Sequence, residues 1–196
     1  MSKTSTIYPM RSYRFGTKAA KVETFGHSAA ERFNRLKNKF DTEGPRRSVE
    51  AVIVVHEHNF PHILVLKVGS SFFKLPGGRL RPGEEDIDGL KRKLNNKLAP
   101  ESETLKIDWE IGECVGCFYR PNFDGMMYPY LPPHITKPKE TKKVFMVSLP
   151  ESCHFAVRSN MQLQAVPLFE LYGSSGYGPI ISSLPNVLSK YQFVRA

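Results

Sequence analysis

The sequence predicts an α/β fold, a mixed β-sheet between helices, and three observations carry that prediction. Val49–Val55 (VEAVIVV) and His62–Val68 (HILVLKV) are apolar, β-branched runs that read as paired strands. Ile87, Leu90, Leu94 and Leu98 fall at i, i+3, i+7 and i+11, one stripe of an amphipathic helix. No internal repeat or low-complexity segment interrupts the chain, so one globular unit of strands and helices is expected.

Taken in order, residues 1–30 hold short extended pieces, Ile7–Met10 and Tyr13–Gly16, with turns between them. That stretch is too short for a core of its own. Residues 1–45 are therefore read as an N-terminal arm and helix packed on a single unit, 46–196. The helix is expected from Ser28, a good N-cap, to Phe40, with Ala29, Phe33, Leu36 and Phe40 on one face and Gly44-Pro45 ending it. The turn between the two apolar strands is expected to hold His56, His58 and His62. Three close histidines invite a metal reading, and a plain polar turn accounts for them as well. Phe72–Leu75 reads as a further strand leading into the Gly77-Gly78 turn; Pro82-Gly83 punctuates the loop, and the helix that follows ends near Ala99-Pro100.

Beyond the helix, Ile107–Ile111 and Glu113–Tyr119 are expected as two strands. Arg120–Lys139 is a long loop rich in proline, aromatics and methionine, and loops of that length are commonly functional. Lys142–Leu149 (KKVFMVSL) is another strand. Val166–Leu171 is apolar, Gly173–Pro179 is a flexible turn, and Ile180–Phe193 closes the chain, helical after Pro185.

Apolar residues make up 40% and charged residues 24% of the 196, enough apolar content for a real core. The formal charge is +9, from 28 Lys and Arg against 19 Asp and Glu. That balance suits an anionic partner, nucleic acid first. Cys114, Cys117 and Cys153 make no disulfide framework and point to a reducing compartment. Cys114 and Cys117 form one C-x-x-C, but zinc needs four ligands, no second pair exists, and residues three apart on a strand are expected on opposite faces. No apolar run reaches membrane-spanning length and no secretory h-region opens the chain. A soluble intracellular protein without cofactor or metal is expected.

The stretch Gly78–Pro100 resembles a Nudix box, whose pattern is G-x5-E-x7-R-E-U-x-E-E-x-G-U with U apolar. Gly78, Glu84 and Arg92 match it. The match then breaks: Lys93 replaces the glutamate after the arginine, Asn96-Lys97 replace the paired glutamates, and Ala99 replaces the last glycine. In Nudix hydrolases those carboxylates hold a divalent metal against a polyphosphate, because Mg²⁺ wants hard oxygen ligands. Positions 93, 96 and 97 share one helix face, where two lysines repel a dication and a neutral asparagine supplies no compensating charge. Glu84 alone is a poor metal site. The resemblance thus implies a kept scaffold without catalysis.

A narrower resemblance runs through nearly the whole chain. Tyr13–Lys18 (YRFGTK), Arg46–Glu50 (RRSVE), Phe72–Gly78 (FFKLPGG), His134–Glu140 (HITKPKE), Pro167–Tyr172 (PLFELY) and Gly176–Pro185 (GYGPIISSLP) carry it. It is similar to the family of small, Nudix-fold subunits of pre-mRNA cleavage factor I (cleavage factor Im), also called cleavage and polyadenylation specificity factor subunit 5, in a plant version. The resemblance implies a Nudix-type α/β/α sandwich with an added N-terminal arm. It implies a nuclear, non-catalytic homodimer that binds UGUA elements in pre-mRNA. Its implied partners are a larger subunit bearing an RNA-recognition-motif domain, poly(A) polymerase and other 3′-end processing factors. The family's RNA contacts fall on matching positions here. Glu23 and Arg32 match residues that read base edges, with one extra residue between them, so that Arg32 rather than Glu31 is the match. Phe72 matches a stacking ring, Glu50, Ser71, Phe73 and Leu75 line the same cleft, and Tyr177-Gly178 matches a loop closing over the RNA. A metal-dependent hydrolase, a non-hydrolysing sensor of nucleotide polyphosphates and a pure dimerising scaffold are the competing readings.

Overall fold

The computed structural model describes residues 3–20 and 28–196. Its centre is β3 (Arg46–Glu57), whose residues alternate between two cores. Val49, Ala51, Ile53 and Val55 point to one, and Val52 and Val54 to the other. A strand buried on both faces must carry apolar residues without alternation, and Ala51–Val55 (AVIVV) does.

The main sheet has strand order β10 (Met161–Pro167), β4 (Phe60–Val68), β3, β8 (Glu140–Ser148) and β7 (Glu110–Arg120). Short β5 (Phe72–Lys74) pairs with β4, and β6 (Gly77–Arg79) with β3. The β3/β8 pair is parallel and the others in this sheet are antiparallel, so the sheet is mixed as expected. One face is covered by α2 (Asp86–Leu98) through Leu90, Leu94 and Leu98, together with Trp109 and Phe155. The other is covered by α3 (Leu168–Leu171) and α4 (Pro179–Val187) through Leu171, Ile181 and Leu184. The predicted stripe on α2 holds for its three leucines; Ile87, in the first turn, is instead 47% exposed.

The N-terminal segment pairs with distant parts of the chain. Strand β1 (Lys3–Ile7) lies parallel to β11 (Tyr191–Arg195), and β2 (Tyr13–Lys18) parallel to β9 (Cys153–Arg158). Buried Tyr13 donates its hydroxyl to the Pro150 carbonyl at 2.9 Å. Helix α1 (Ala29–Glu43) starts at Ser28 with a full capping box: the Ser28 hydroxyl accepts from the Glu31 amide, and the Glu31 carboxylate accepts from the Ser28 amide. Phe40 of α1 packs edge-on against Phe123, and the Lys139 ammonium lies 4.2 Å from the Phe40 ring centroid. In this way α1 rests on the long loop of residues 121–139.

Several expectations are corrected. Strand β7 is one continuous strand with register shifts near Cys114, where two strands were expected, and Ile107 lies before it. Those bulges place Cys114 opposite Phe145 and Cys117 opposite Lys143, two residues apart on β8. Both cysteines therefore share a face, because an extra residue breaks the period of two. The turn between β3 and β4 is made by His58 and Asn59, both at positive φ, whereas His56 and His62 sit on the strands. His62 lies opposite Val55, so His56 faces the other way, and the three histidines do not converge. Helix α4 starts at Pro179 rather than after Pro185, since proline is well suited to the first helical position. Strands β9, β10 and β11 were not anticipated as strands. Among the described residues, no helix is long and apolar enough to cross a membrane.

Candidate functional site

A cavity of about 250 Å³ opens where β5, the start of β8 and the N-terminus of α4 meet, on the face of β3 that carries Glu50. Its floor follows from strand alternation. Arg46, Ser48 and Glu50 lie on one side of β3, and their register partners Glu140, Lys142 and Val144 share that side on β8. The Lys142 ammonium donates to the Glu50 carboxylate at 2.7 Å, with both side chains largely buried. Next along, Arg120 donates to Glu140 at 3.1 Å and the Ser48 hydroxyl donates to the same carboxylate at 2.8 Å. Burial would raise the Glu140 pKa; Lys142, the Ser48 hydroxyl, Arg120 and Arg46 outweigh it and hold the group below its ordinary value. The floor is thus a row of charges kept ionised by one another.

The walls are aromatic. Phe73 packs on Tyr177 with ring centroids 4.7 Å apart, and the Lys67 ammonium sits 5.7 Å from the Phe73 centroid. Tyr177 donates its hydroxyl to Glu170 at 2.5 Å; burial and that carboxylate push its pKa up to about 12. Gly178 caps α4 at φ 80°, a left-handed conformation that favours glycine. Phe72, next to Phe73 but on the other side of the short strand, is 59% exposed at the cavity mouth. Leu75 closes the base and is buried.

The structure therefore brings Glu50, Phe72, Phe73, Leu75, Tyr177 and Gly178 to one cavity. Ser71 lies on the exposed turn beside Phe72 and is not among the lining residues. Arg32 is exposed on α1 and does not line the cavity, although its neighbour Phe33 lies 5.8 Å from the Arg120 guanidinium, which does. Glu31 is engaged in the α1 cap. Glu23 lies outside the described residues. Arg120 and Lys142 were not predicted as site residues; the alternation Glu140, Lys142, Val144 along an apolar strand was the available signal.

Of the Nudix-like positions, Gly78 is on β6, Glu84 is in the loop after it, and Arg92, Lys93, Asn96 and Lys97 are on α2, across the sheet from the Phe73–Tyr177 wall. Arg92 clasps Glu84 through Nε and Nη2, each at 2.6 Å, and the Arg81 amide donates to Glu84 at 2.8 Å. The Arg92 hydrogen bonds hold the Glu84 pKa down to about 2. A Cβ on Gly89 would fall 2.0 Å from Leu80 and 3.0 Å from the Glu84 carboxylate, so this glycine makes room for the clasp. The Lys93 side chain runs beside Gly78, its Cδ and Cε 3.4 Å from where a Gly78 Cβ would stand. Asn96 accepts from Arg158 at 3.3 Å. Lys18 donates to the Ala99 carbonyl at 2.6 Å, satisfying the end of α2. Burial, followed by the Arg158 charge, lowers the Lys18 pKa; Glu101 opposes that shift and Lys97 adds to it. Cations thus gather around the C-terminal half of α2.

Comparison with known proteins agrees with this architecture. The Nudix family model described as "Nucleotide hydrolase" matches residues 3–191. The chain is 54% identical to the pre-mRNA cleavage factor Im 25 kDa subunit 2 of Arabidopsis thaliana over 194 residues, covering 98% of this chain and 96% of that one. It is 48% identical to cleavage and polyadenylation specificity factor subunit 5 of Dictyostelium discoideum, covering 98% and 96%. Among solved structures, a protein described as a Nudix hydrolase from Listeria monocytogenes superposes with a TM-score of 0.51 at 15% identity, covering 73% of this chain and 89% of that one. At that identity the likeness concerns the fold alone.

Proposed function

This chain belongs to the Nudix family and, within it, to the small subunits of pre-mRNA cleavage factor Im, and from that premise we propose that it is a non-catalytic, sequence-specific RNA-binding subunit of the 3′-end processing complex, selecting UGUA elements upstream of poly(A) sites in the nucleus. The observation that carries the reading is the exposed Phe72 ring at the mouth of a cavity floored by charge-paired Glu50, Lys142 and Arg120. Specific RNA recognition targets unpaired bases that are splayed out and stacked on aromatic rings. Phe72 offers such a face, while Phe73 is already engaged by Tyr177 and Lys67. Carboxylate and cationic groups at fixed positions then read base edges. Arg32 is proposed to join them from α1 and Ser71 from the turn beside Phe72, and Glu23, outside the described residues, is proposed as a further reader of base edges. Tyr177-Gly178 forms the wall that meets the bound strand.

The homodimer, the larger subunit with its RNA-recognition-motif domain, and contacts to poly(A) polymerase belong to the same proposal. The exposed Met126, Tyr130 and Leu131 on the long loop are surface suited to a protein partner.

The test is a fluorescence-polarisation titration at fixed salt with UGUA RNA and a scrambled tetranucleotide, on wild type and Phe72→Ala. Wild type should prefer UGUA. Loss of a stacking ring contributes about 1–3 kcal/mol, so the variant should bind about 5- to 150-fold more weakly with unchanged melting temperature. Equal affinity for both RNAs, or for both proteins, refutes the reading. The competing hydrolase reading is favoured by the family model's description and by the Glu84–Arg92 pair. A screen of nucleotide polyphosphates with Mg²⁺ and Mn²⁺ tests it, and turnover by wild type that is lost in Glu84→Gln at a temperature where the variant is still folded would establish it.

A further inference from the structure

A second hollow, of about 160 Å³, lies at the start of β3, lined by Arg46, Arg47, Arg79 and Arg81 with Glu43 the acid among the lining residues. It is continuous in register with the cavity described above. Arg79 of β6 lies opposite Ser48, so it shares the side of the sheet that carries Arg46, Ser48 and Glu50. Arg46 and Glu50 are four residues apart on that side, about 13 Å at about 3.3 Å per residue. Glu140 lies level with Arg46 and opposite Arg120 in its two strand pairings, and Lys142 lies opposite Ser48, midway between Arg46 and Glu50. A row of cations therefore runs from Lys142 and Arg120 in the cavity to Arg79 and Arg81 at the sheet edge.

The structural demand on these arginines is uneven. Arg47 is committed to α2, donating to Asp86 at 2.6 Å and to the Glu84 carbonyl at 2.9 Å. Arg79 pairs with Glu43, which also faces Lys39 at 3.6 Å. Glu43 is the last residue of α1, where the helix dipole disfavours an acid, and its single carboxylate is shared between two cations. Arg46 keeps a buried Nε with no hydrogen-bond partner. Burial lowers the Arg46 pKa; Glu140 opposes the shift, and the nearby Arg79 and Arg120 add to it. The cluster holds more positive charge than its own acids balance, and a phosphate relieves that imbalance.

We infer that this arginine hollow binds backbone phosphates of the single-stranded RNA flanking the element read in the cavity. The inference rests on the RNA-binding reading above. Phosphate contacts position a strand without reading its sequence, so the hollow adds affinity and orientation rather than specificity.

The test uses the full chain and two RNAs, a bare UGUA tetranucleotide and the same element extended on either side by a few cytidines. Both are titrated against wild type, the double variant Arg79→Ala/Arg81→Ala and its lysine counterpart across a salt series. The extended RNA should bind wild type more tightly at low salt. That gain should vanish in the alanine variant, whose slope of log K against log salt should be shallower by about 0.7 per lost phosphate contact. The lysine variant should retain most of the slope, and the bare tetranucleotide should bind all three within about twofold, since only the electrostatic, sequence-independent contribution changes. An unchanged slope on the extended RNA, with UGUA preference intact, overturns the inference alone and leaves the cluster to an acidic protein segment. Equal losses on both RNAs overturn it as well, because they place the arginines' effect in the cavity or the fold. Failure of wild type to prefer UGUA removes the RNA-binding reading, and this inference with it.

Discussion

Replacing Glu84 by glutamine separates a structural carboxylate from a chemical one. Glu84 accepts two hydrogen bonds from Arg92 at 2.6 Å and one from the Arg81 amide at 2.8 Å. It thereby ties the loop after β6 to the middle of α2. Glutamine keeps one acceptor oxygen, loses the charge, and turns an amide N–H toward a guanidinium. Hydrogen bonds to charged groups contribute about 1.5–3 kcal/mol. The Arg92 side chain is 31% exposed, and solvent screening reduces the expected loss to about 1–2 kcal/mol. For a domain of this size that corresponds to a fall in melting temperature of about 2–8 °C. The pH dependence follows from the sign of the shift. The folded-state pKa is held at about 2 against an ordinary value of 4.5. A depressed carboxylate pKa contributes stability that is fully present above the ordinary value and is lost as pH falls toward the folded one. The deficit of Glu84→Gln relative to wild type should therefore be full at pH 7 and shrink between about pH 4.5 and 2. Urea denaturation across that range measures it, with UGUA titration at pH 7 as the control. A melting temperature within about 1 °C of wild type at pH 7 would refute the staple, as would a deficit unaffected by acid.

Two further outcomes follow from the geometry. Phe73→Ala, unlike Phe72→Ala, should destabilise the fold by about 1–2 kcal/mol, because Phe73 is half-buried against Tyr177; chemical denaturation checks this, and equal stability of the two variants would show that the rings are not distinguished as described. Glu113 on β7 accepts from Lys3 and Tyr191 and pairs with Lys190, and these partners, the Lys3 ammonium first, hold its pKa down to about 2. Glu113→Gln should loosen β1, seen as faster proteolysis near residues 3–7 at neutral pH, and the contrast with wild type should fade as pH falls from the ordinary carboxylate range toward 2; cleavage at the wild-type rate would count against this anchor.

The sequence by itself determined the elements whose signal is local. The apolar run of β3 and β4, the leucine stripe of α2 and the Ser28 cap of α1 are each written within a few residues, whereas Gly77-Gly78, expected as a turn, pairs with β3 as the start of β6. The backbone period of strand or helix converts such spacing directly into a buried face. The resemblance then picked out Glu50, Phe72, Phe73, Leu75, Tyr177 and Gly178, which one cavity gathers. Tertiary structure alone decided which distant residues meet. Lys142 reaches Glu50 across 92 positions because β8 lies parallel to β3 in one particular register. The arm finds β11 and β9 because those strands present free edges, and no pattern in KTSTI or YRFGTK names its partner. Cys114 and Cys117 share a face only because β7 bulges against β8, and a bulge is a property of the pair of strands rather than of either one. Local periodicity fixes which side of an element is buried. Strand order and register fix what stands opposite it, and those depend on contacts spread over the whole chain.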